Sequence, residues 1–278
     1  MKDRNLLSIT AQQQKMWATG DFNQIGARQN VRMAEALCET VDPHAGDRVL
    51  DVACGSGTAA LIAARRYCDV IGIDYVPALI ERAKMRATAE GLEVEFRVED
   101  AQDLSFPNAS FDVVLSVYGV HFAPDQEKAA REMMRVCCPG GTIALASPIP
   151  EGWSGDFFAT IGKYVPRPPG LQTPLRWGTE AGLEALLGSG TGSITSEKRR
   201  TLLYFRSIEH ATDVFLSYFG PAIRASEQGH RESLQNDLKA VFSRYNLASD
   251  GTAVIENMYL LTVAIRAGEP GLKMKPPA

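Results

Sequence analysis

Residues Arg48–Ala60 read R-V-L-D-V-A-C-G-S-G-T-A-A, and this stretch predicts the fold of the chain. The apolar run at 49–52 is typical of a buried strand, and a helix-compatible run begins at Thr58. Between them, Gly55 and Gly57 lack a Cβ, so the backbone can turn sharply there and come close to a ligand. Strand, tight turn and helix open a βαβ unit, and the first N–H groups of such a helix bind a nucleotide-like or carboxylate-bearing ligand.

Strands and helices alternate on either side of this turn, which indicates an α/β fold with a doubly wound, mostly parallel sheet. A polar helical segment precedes it. A segment rich in Gly, Pro and aromatic residues, Pro148–Pro174, interrupts the pattern; it is too broken for one long helix and predicts a binding loop or small subdomain. The seven predicted strands are the run at 49–52 and residues 69–74, 93–98, 111–117, 142–147, 193–205 and 259–265.

The same pattern predicts how the chain is divided. We expect an N-terminal helical cap, a nucleotide-binding core, an insertion after strand five, a C-terminal part that completes the seven-stranded sheet, and a disordered tail. In that order, the predicted boundaries are 1–46, 47–147, 148–192, 193–266 and 267–278.

Charge and composition narrow the classes of partner. The 278 residues carry a net charge of −4, and the one basic run, Lys198–Arg200, is interpreted as a solvated strand end, so we expect no nucleic-acid partner. No apolar run reaches the roughly 18 residues of a membrane span, and the polar N-terminus predicts no signal peptide. The five cysteines are irregularly spaced, without a C-x-x-C, which predicts free thiols, no metal site and a cytoplasmic location.

Two nucleotide classes fit the glycine turn. Residues 55–60 match the fingerprint G-x-G-x-x-G/A of nicotinamide and flavin enzymes, and Asp74, 17 residues after Gly57, suits a ribose diol. Asp51, however, precedes Gly55 by four residues, where a carboxylate would favour a cationic or amine-bearing ligand over a pyrophosphate. An NAD(P)-dependent oxidoreductase therefore remains an alternative at this point.

Five motifs in order make the chain resemble a class I S-adenosylmethionine-dependent methyltransferase, close to the ubiquinone/menaquinone-biosynthesis type (methyltransferase type 11 group). The resemblance covers about Asp47–Ser147 and implies a Rossmann-like methyltransferase fold with S-adenosylmethionine as the cofactor and S-adenosylhomocysteine as the product. The motifs are V-L-D-V-A-C-G-S-G at 49–57, G-I-D at 72–74, E-D-A at 99–101, F-D-V-V-L-S at 111–116 and R-V-C-C-P-G-G at 135–141.

The resemblance implies one set of residues around the methionine end of the cofactor. Asp51, Gly55 and Gly57 would line the methionine moiety, with the carboxylate facing its ammonium group. Ala53 and Cys54 would contribute backbone atoms. The alternative for Asp51 is an ordinary carboxylate that caps a turn.

A second implied set surrounds the nucleoside. Asp74 would bind the ribose hydroxyls, and Tyr75 would flank the adenine. Asp100 would accept a hydrogen bond from the adenine amino group, and Ala101 would donate its backbone N–H to the ring. Ser116 would lie beside the cofactor and face the substrate, or it simply caps the end of its strand.

Candidate residues for the methyl acceptor come from outside these motifs. Trp17 is either a lid that touches the ligand or a packing residue. His121, after the fourth strand, is the one candidate general base there, with a packing histidine as the alternative. Glu151, Trp153 and Trp177 would face a small, apolar or aromatic acceptor, or the two tryptophans form the core of the insertion.

The sequence thus predicts transfer of a methyl group to a small molecule by in-line displacement. A non-catalytic protein that binds S-adenosylmethionine or S-adenosylhomocysteine is the alternative in another functional class.

Overall fold

A single sheet organises the computed structural model, which describes residues 2–268. Its strands are β1 (Arg48–Val52), β2 (Asp69–Asp74), β3 (Glu95–Val98), β4 (Phe111–Val117), β5 (Cys137–Pro148), β6 (Thr191–Phe205) and β7 (Ala253–Arg266). Within the described residues, these seven strands lie side by side in the order β3-β2-β1-β4-β5-β7-β6. β7 is antiparallel to both of its neighbours, and the other adjacent pairs are parallel. The predicted doubly wound, mostly parallel seven-stranded sheet is therefore confirmed.

Helices cover the two faces of the sheet and one of its edges. They are α1 (Lys2–Ala18), α2 (Asn23–Gln29), α3 (Val31–Val41), α4 (Thr58–Ala64), α5 (Pro77–Glu90), α6 (Gln126–Val136), α7 (Gly152–Tyr164), α8 (Glu180–Leu187), α9 (Ile208–Tyr218), α10 (Gly220–Ala225) and α11 (Arg231–Arg244). Local sequence explains several ends. Pro77 starts α5, and Gly91 ends it with a φ of 65°. Thr179 caps α8 as predicted, because its hydroxyl accepts a hydrogen bond from the Gly182 N–H at 3.1 Å.

Two apolar cores lie on opposite faces of the sheet, because successive strand residues point to opposite sides. In β1, Val49 packs in the core formed with α3, α4 and α5. The next residue, Leu50, packs in the core formed with α6 and α8. This alternation holds the strands in register. Because β1, β2 and β4 are parallel, the loops that follow them lie at the same end of the sheet.

A third core, rich in aromatic rings, joins α1, α2, α7, α9, α10 and α11 to the ends of β6 and β7. Phe157 of α7 contacts the rings of Trp153 at 4.9 Å, Phe215 at 4.9 Å and Phe219 at 5.3 Å between centroids. Val76, just after β2, belongs to the same core. The helical cap therefore packs against the carboxyl end of the parallel strands.

The segment after β5 contains a helix despite its composition. The sequence predicts that Pro148–Pro174 is not one long helix, and α7 occupies 13 of its residues between non-helical stretches. Gly155 is tolerated inside α7 because the helix passes so close to the Pro150 carbonyl oxygen that no Cβ would fit there. The glycine that argues against a helix from composition is thus required by the packing of this one.

Other differences concern where elements end. β3 begins at Glu95 rather than at 93, whereas β5 begins at Cys137 rather than 142 and β7 begins at Ala253 rather than 259. The predicted disorder of the tail concerns residues 267–278, of which 269–278 lie outside the described residues. No helix within residues 2–268 has the length and apolarity to cross a membrane. The same part of the chain contains no group of three or more His, Cys, Asp or Glu side chains that could hold a metal ion.

Candidate functional site: two adjoining cavities at the carboxyl end of the sheet

The turn between β1 and α4 has backbone geometry that requires its glycines. Gly57 has a φ of +80°, and a Cβ there would lie 2.8 Å from the Phe96 ring. Gly55 has a φ of +56°, and a Cβ there would meet no atom within 4 Å. The first glycine of the pair therefore faces open space, and the second allows close packing against β3.

Asp74, the last residue of β2, fixes this turn. It is 6% exposed, and its two carboxylate oxygens accept hydrogen bonds from the N–H of Gly55 at 3.0 Å and of Val76 at 2.9 Å. Burial raises the pKa of Asp74 to about 6, although the two backbone hydrogen bonds oppose the shift. Each oxygen keeps a second lone pair that a ligand hydroxyl can use.

The space in front of the turn is a cavity that we call the inner cavity. It encloses about 660 Å³ of empty space including its opening. Three lining residues are acidic: Asp74 and Asp100 offer carboxylate oxygens, whereas the Glu99 carboxylate already accepts hydrogen bonds from the N–H and the hydroxyl of Ser105. The remaining lining is largely apolar. Its lining residues are Trp17, Phe22, Ala53, Gly55, Asp74, Tyr75, Val76, Leu79, Glu99, Asp100, Ala101, Tyr118, Gly119, Val120, Phe122, Ala123 and Pro124.

Seven of the predicted cofactor residues lie in this lining. They are Trp17, Ala53, Gly55, Asp74, Tyr75, Asp100 and Ala101. The Asp100 carboxylate accepts hydrogen bonds from the backbone N–H of Gln102 at 2.9 Å and from its side-chain amide at 3.0 Å, so its position is fixed. Burial raises the pKa of the half-buried Tyr75 above its usual value.

The other four predicted cofactor residues lie outside the lining of the inner cavity, next to the residues that form it. Asp51 is 1% exposed, and its carboxylate accepts a hydrogen bond from the Ala60 N–H at 2.9 Å. Burial raises its pKa to about 7. Ser116 donates to the Val52 carbonyl oxygen at 2.7 Å and accepts from the Val120 N–H at 2.9 Å, which is the strand-capping alternative. Cys54 and Gly57 also lie outside the lining.

Sequence reasoning missed Gly119, which lines the inner cavity just after β4. A Cβ at this position would lie 2.5 Å from the Ala53 carbonyl oxygen, so only glycine lets the two turns approach. The preceding residue, Tyr118, has a φ of +49°. A glycine directly after an apolar strand is the signal that could have identified this close approach.

A second cavity, the outer cleft, adjoins the first beneath the insertion. The two share Trp17, Phe122 and Ala123, which form a common wall. The outer cleft encloses about 1700 Å³ including its open mouth. Its lining residues are Ile9, Gln12, Gln13, Met16, Trp17, His121, Phe122, Ala123, Gly155, Phe158, Ala159, Ile161, Gly162, Val165, Pro166, Arg167, Pro168, Leu171, Gln172, Thr173, Pro174, Leu175, Phe219, Pro221 and Arg224.

His121, the predicted general base, lines the outer cleft but is only 1% exposed. One ring nitrogen, Nε2, lies 2.9 Å from the Ser147 hydroxyl oxygen, and the other, Nδ1, is buried without a hydrogen-bond partner in the described structure. Burial lowers the pKa of His121 to about 3. The imidazole is therefore neutral across the physiological pH range.

The three predicted acceptor residues do not lie in either cavity lining. Glu151 points to the surface, where its carboxylate is 3.3 Å from the Lys198 ammonium group. Trp153 stacks on Phe157 within the aromatic core, and Trp177 is fully buried, 5.9 Å from the His121 ring. Trp153 thus packs in the aromatic core and Trp177 in the core formed with α6 and α8, so both contact elements outside the insertion.

Comparison with known proteins agrees with this geometry. A family model described as "Methyltransferase domain" matches residues 50–145, which span β1 to most of β5. An uncharacterised protein of Mycobacterium tuberculosis is 37% identical over 262 residues, covering 92% of this chain and 95% of its own. Aklanonic acid methyltransferase DauC of Streptomyces is 35% identical over 136 residues, covering 48% of this chain and 62% of its own.

Among solved structures, the YcgJ protein from Bacillus subtilis has a similar fold. The two superpose with a TM-score of 0.59 at 23% sequence identity, covering 85% of this chain and 99% of that protein.

Proposed function

Since the chain belongs to the class I S-adenosylmethionine-dependent methyltransferases, we propose that it binds S-adenosylmethionine in the inner cavity and methylates a small molecule in the outer cleft. The observation that carries this proposal is the wall that the two cavities share. Trp17, Phe122 and Ala123 line both, so groups bound on either side would meet there.

The side chains of the inner cavity suit the nucleoside part of this cofactor. Asp74 is buried, and each of its oxygens has a lone pair left for one ribose hydroxyl. Asp100 offers an acceptor to an adenine amino group, with the apolar Ala101 and Leu79 beside it. Tyr75 supplies an aromatic surface. This combination of two carboxylates and an apolar wall suits a nucleoside better than a pyrophosphate.

At the end of the inner cavity near Gly55, the groups that a ligand can contact are backbone atoms instead of side chains. Gly55 faces open space at the N-terminal end of α4, where a ligand carboxylate is favoured by the partial positive charge of the helix. Asp51 lies behind this turn and would act on an ammonium group through its charge. When bound, S-adenosylmethionine would supply a sulfonium methyl for the acceptor nucleophile, with the C–S bonding electrons staying on sulfur and any proton of the nucleophile leaving to solvent through the open mouth of the outer cleft.

The chain's own contribution to this reaction would be to orient the acceptor and to exclude water at the shared wall. Positioning of this kind supplies about 7 kcal/mol or more in favourable cases. His121 is a poor candidate for proton transfer because a base is most effective with a pKa near the working pH, and burial holds this one near 3. We therefore propose that His121 shapes the cleft instead of removing a proton.

The apolar lining of the outer cleft supports an apolar or aromatic acceptor. Phe158, Ile161 and Leu175 lie there beside the shared wall. The relative DauC is named for an organic acid that it methylates, which supports a small organic acceptor for this chain.

Isothermal titration tests the cofactor assignment. We expect micromolar binding of S-adenosylhomocysteine and no binding of NADH. Asp74→Ala should weaken S-adenosylhomocysteine binding about tenfold or more, because a charge-assisted hydrogen-bond acceptor is removed. Asp69→Ala is the matched control, since Asp69 is an exposed aspartate at the opposite end of the same strand.

Two results would overturn the proposal. One is unchanged affinity in Asp74→Ala, and the other is binding of NADH in place of S-adenosylhomocysteine. Incubation with radiolabelled S-adenosylmethionine and cell extract tests the transfer itself, and we expect label to appear in a small-molecule fraction.

A further inference from the structure

Charge is distributed unevenly in the outer cleft. Arg167, in the loop after α7, and Arg224, on α10, are its charged lining residues, and the described lining includes no aspartate or glutamate. The two guanidinium groups therefore approach one cavity from two elements that are distant in the sequence. Their positive charge is not balanced from within the cleft.

Both arginines are also free of protein partners in the described structure. Neither side chain forms a salt bridge or hydrogen bond with the side chains that the structure describes, which are those of residue 6 and residues 8–268, and both residues are exposed. Arg176, which is nearby in sequence, contrasts with them because its guanidinium lies 2.6 Å from the Glu127 carboxylate. Arg244 also differs from Arg167 and Arg224, because its guanidinium pairs with the Asp156 carboxylate. A planar guanidinium with unused donors is the group that best recognises a carboxylate or similar acid.

The rest of the cleft is apolar around a few polar atoms. Phe158, Ile161 and Leu175 form apolar surface, and the shared wall, with Trp17 buried and Phe122 and Ala123 half-buried, lies at the inner end. Gln13 lines the cleft with a side-chain oxygen that is buried without a hydrogen-bond partner in the described structure. The cavity thus combines an apolar interior with two cations on residues that reach solvent.

We propose that the methyl acceptor is an apolar molecule with an acidic group, and that Arg167 and Arg224 bind this acid at the mouth of the outer cleft. This inference rests on the proposed function, because it takes the outer cleft as the acceptor site. The acid anchors the acceptor, the apolar body fills the cleft, and the nucleophile lies at the shared wall. Arg167 and Arg224 are then residues that determine substrate specificity, since a neutral analogue would leave both guanidinium groups without an anion.

A pair of fluorescent probes tests the assignment without knowledge of the natural acceptor. The probe 1-anilinonaphthalene-8-sulfonate is an apolar aromatic acid, and N-phenyl-1-naphthylamine has the same ring frame without the sulfonate. Each is titrated into the full chain saturated with S-adenosylhomocysteine, so that the inner cavity is filled. We expect the wild-type chain to bind the sulfonate more tightly than the neutral probe.

Substitution of the two arginines separates charge recognition from apolar binding. R167Q/R224Q should bind the sulfonate roughly tenfold more weakly and the neutral probe with unchanged affinity. R167K/R224K should recover part of the loss, because the charge returns without the planar fork. R206Q/R231Q is the matched control, since it removes two exposed arginines that lie outside the cleft lining.

The inference is wrong if R167Q/R224Q binds the sulfonate as the wild type does, or if R206Q/R231Q loses as much affinity. It is equally wrong if the wild-type chain binds the two probes with the same affinity. Titration of S-adenosylhomocysteine in the same samples distinguishes this failure from failure of the proposed function. Intact S-adenosylhomocysteine binding with no effect of the arginines overturns only the acidic acceptor, whereas absent binding overturns the cofactor assignment itself.

Discussion

Asp74 connects the sequence motif to a measurable chemical property. Its carboxylate closes the glycine turn through two backbone hydrogen bonds, and burial keeps its pKa near 6. The ionised form accepts hydrogen bonds from ligand hydroxyls at both oxygens, whereas the protonated form loses acceptor capacity and charge. Binding of S-adenosylhomocysteine should therefore favour the ionised carboxylate.

We predict that S-adenosylhomocysteine binds about tenfold more weakly at pH 5 than at pH 8. The sign follows from the raised pKa, because a group with a pKa near 6 is only about one-tenth ionised one unit below it. Isothermal titration across this range measures the effect. Asp74→Asn should show weaker binding and a smaller pH dependence, with the buried Asp51 contributing the remainder. A pH-independent affinity in the wild type would contradict the prediction.

His121 provides a second test at the scale of one residue. An imidazole in water titrates near pH 6.5, but burial lowers the pKa of this one to about 3. We predict that its ring ¹⁵N chemical shifts stay constant between pH 5 and pH 8. Nuclear magnetic resonance on a ¹⁵N-histidine-labelled sample, with His121→Gln to assign the signal, measures this. A titration midpoint within that interval would return His121 to the candidates for a general base.

Individual residues differed in how far the sequence could locate them. Asp74 ends β2 and Asp100 lies two residues after β3, and the parallel pairing of these strands then requires that both lie at one end of the sheet. Trp153 and Trp177 could not be assigned in this way. An aromatic side chain in an irregular segment buries the same area in a core as against a ligand. Only tertiary packing distinguishes the two, on α9 and α11 for Trp153 and in the core with α6 and α8 for Trp177.

Among the elements, α7 shows most clearly how packing overrides composition. Its sequence, G-W-S-G-D-F-F-A-T-I-G-K-Y, contains three glycines and argues against a helix. The stack of Trp153 on Phe157 and their contacts with Phe215 stabilise the helix through burial. Strands at the centre of the sheet were predictable because their burial on both faces appears as continuous apolar runs, whereas this helix depends on residues far along the chain.

Two glycines of α7 form a matched pair for a stability test. A Cβ at Gly155 would overlap the Pro150 carbonyl oxygen, whereas one at Gly162 would meet no atom within 4 Å. We predict that Gly155→Ala lowers the free energy of unfolding by about 1–3 kcal/mol. Gly162→Ala should raise it by about 0.5–1 kcal/mol, because alanine favours the helix. Urea denaturation followed by circular dichroism measures both, and equal midpoints for the two variants would contradict this packing.

At the scale of the whole molecule, the inner cavity is built from loops that follow β1, β2, β3 and β4 together with the cap. A ligand bound there contacts parts of the chain from Trp17 to Pro124 and stabilises only the folded state. The glycine turn and the residues at the ends of β2 and β3 could be predicted to bind a ligand, because they lie at the carboxyl ends of parallel strands. The outer cleft could not, since its walls come from α1, α7 and α10, and no local pattern indicates that these helices meet.

Binding of S-adenosylhomocysteine in the inner cavity should therefore raise the Tm of the chain. At a concentration of 100 times its dissociation constant, S-adenosylhomocysteine adds about 2.7 kcal/mol to the free energy of unfolding, which corresponds to a rise in Tm of about 5 °C or more. We predict about half of that rise for Asp74→Ala at the same concentration, and the full rise for Asp69→Ala. Differential scanning fluorimetry gives the comparison, and an unchanged Tm in the wild type would contradict it.

The edge of the sheet has a further property at this scale. β6 is an outermost strand and carries Lys198, Arg199 and Arg200, each within reach of a carboxylate. Charged side chains along an exposed strand oppose pairing with the sheet of another molecule. From the sequence, the basic run Lys198–Arg200 is interpreted as the end of a strand, but the run lies in the middle of β6.

Trp17 lines both the inner cavity and the outer cleft, and its indole ring lies at centroid distances of 5.0 Å from Phe122 and 5.4 Å from Phe219. A smaller residue at this position would widen the boundary between the two cavities, where Phe122 and Ala123 would remain. Under the proposed function, bulkier acceptors would then gain entry, but bulk water would reach the methyl group by the same route. We therefore expect position 17 to be a starting point for redesigning the range of acceptors.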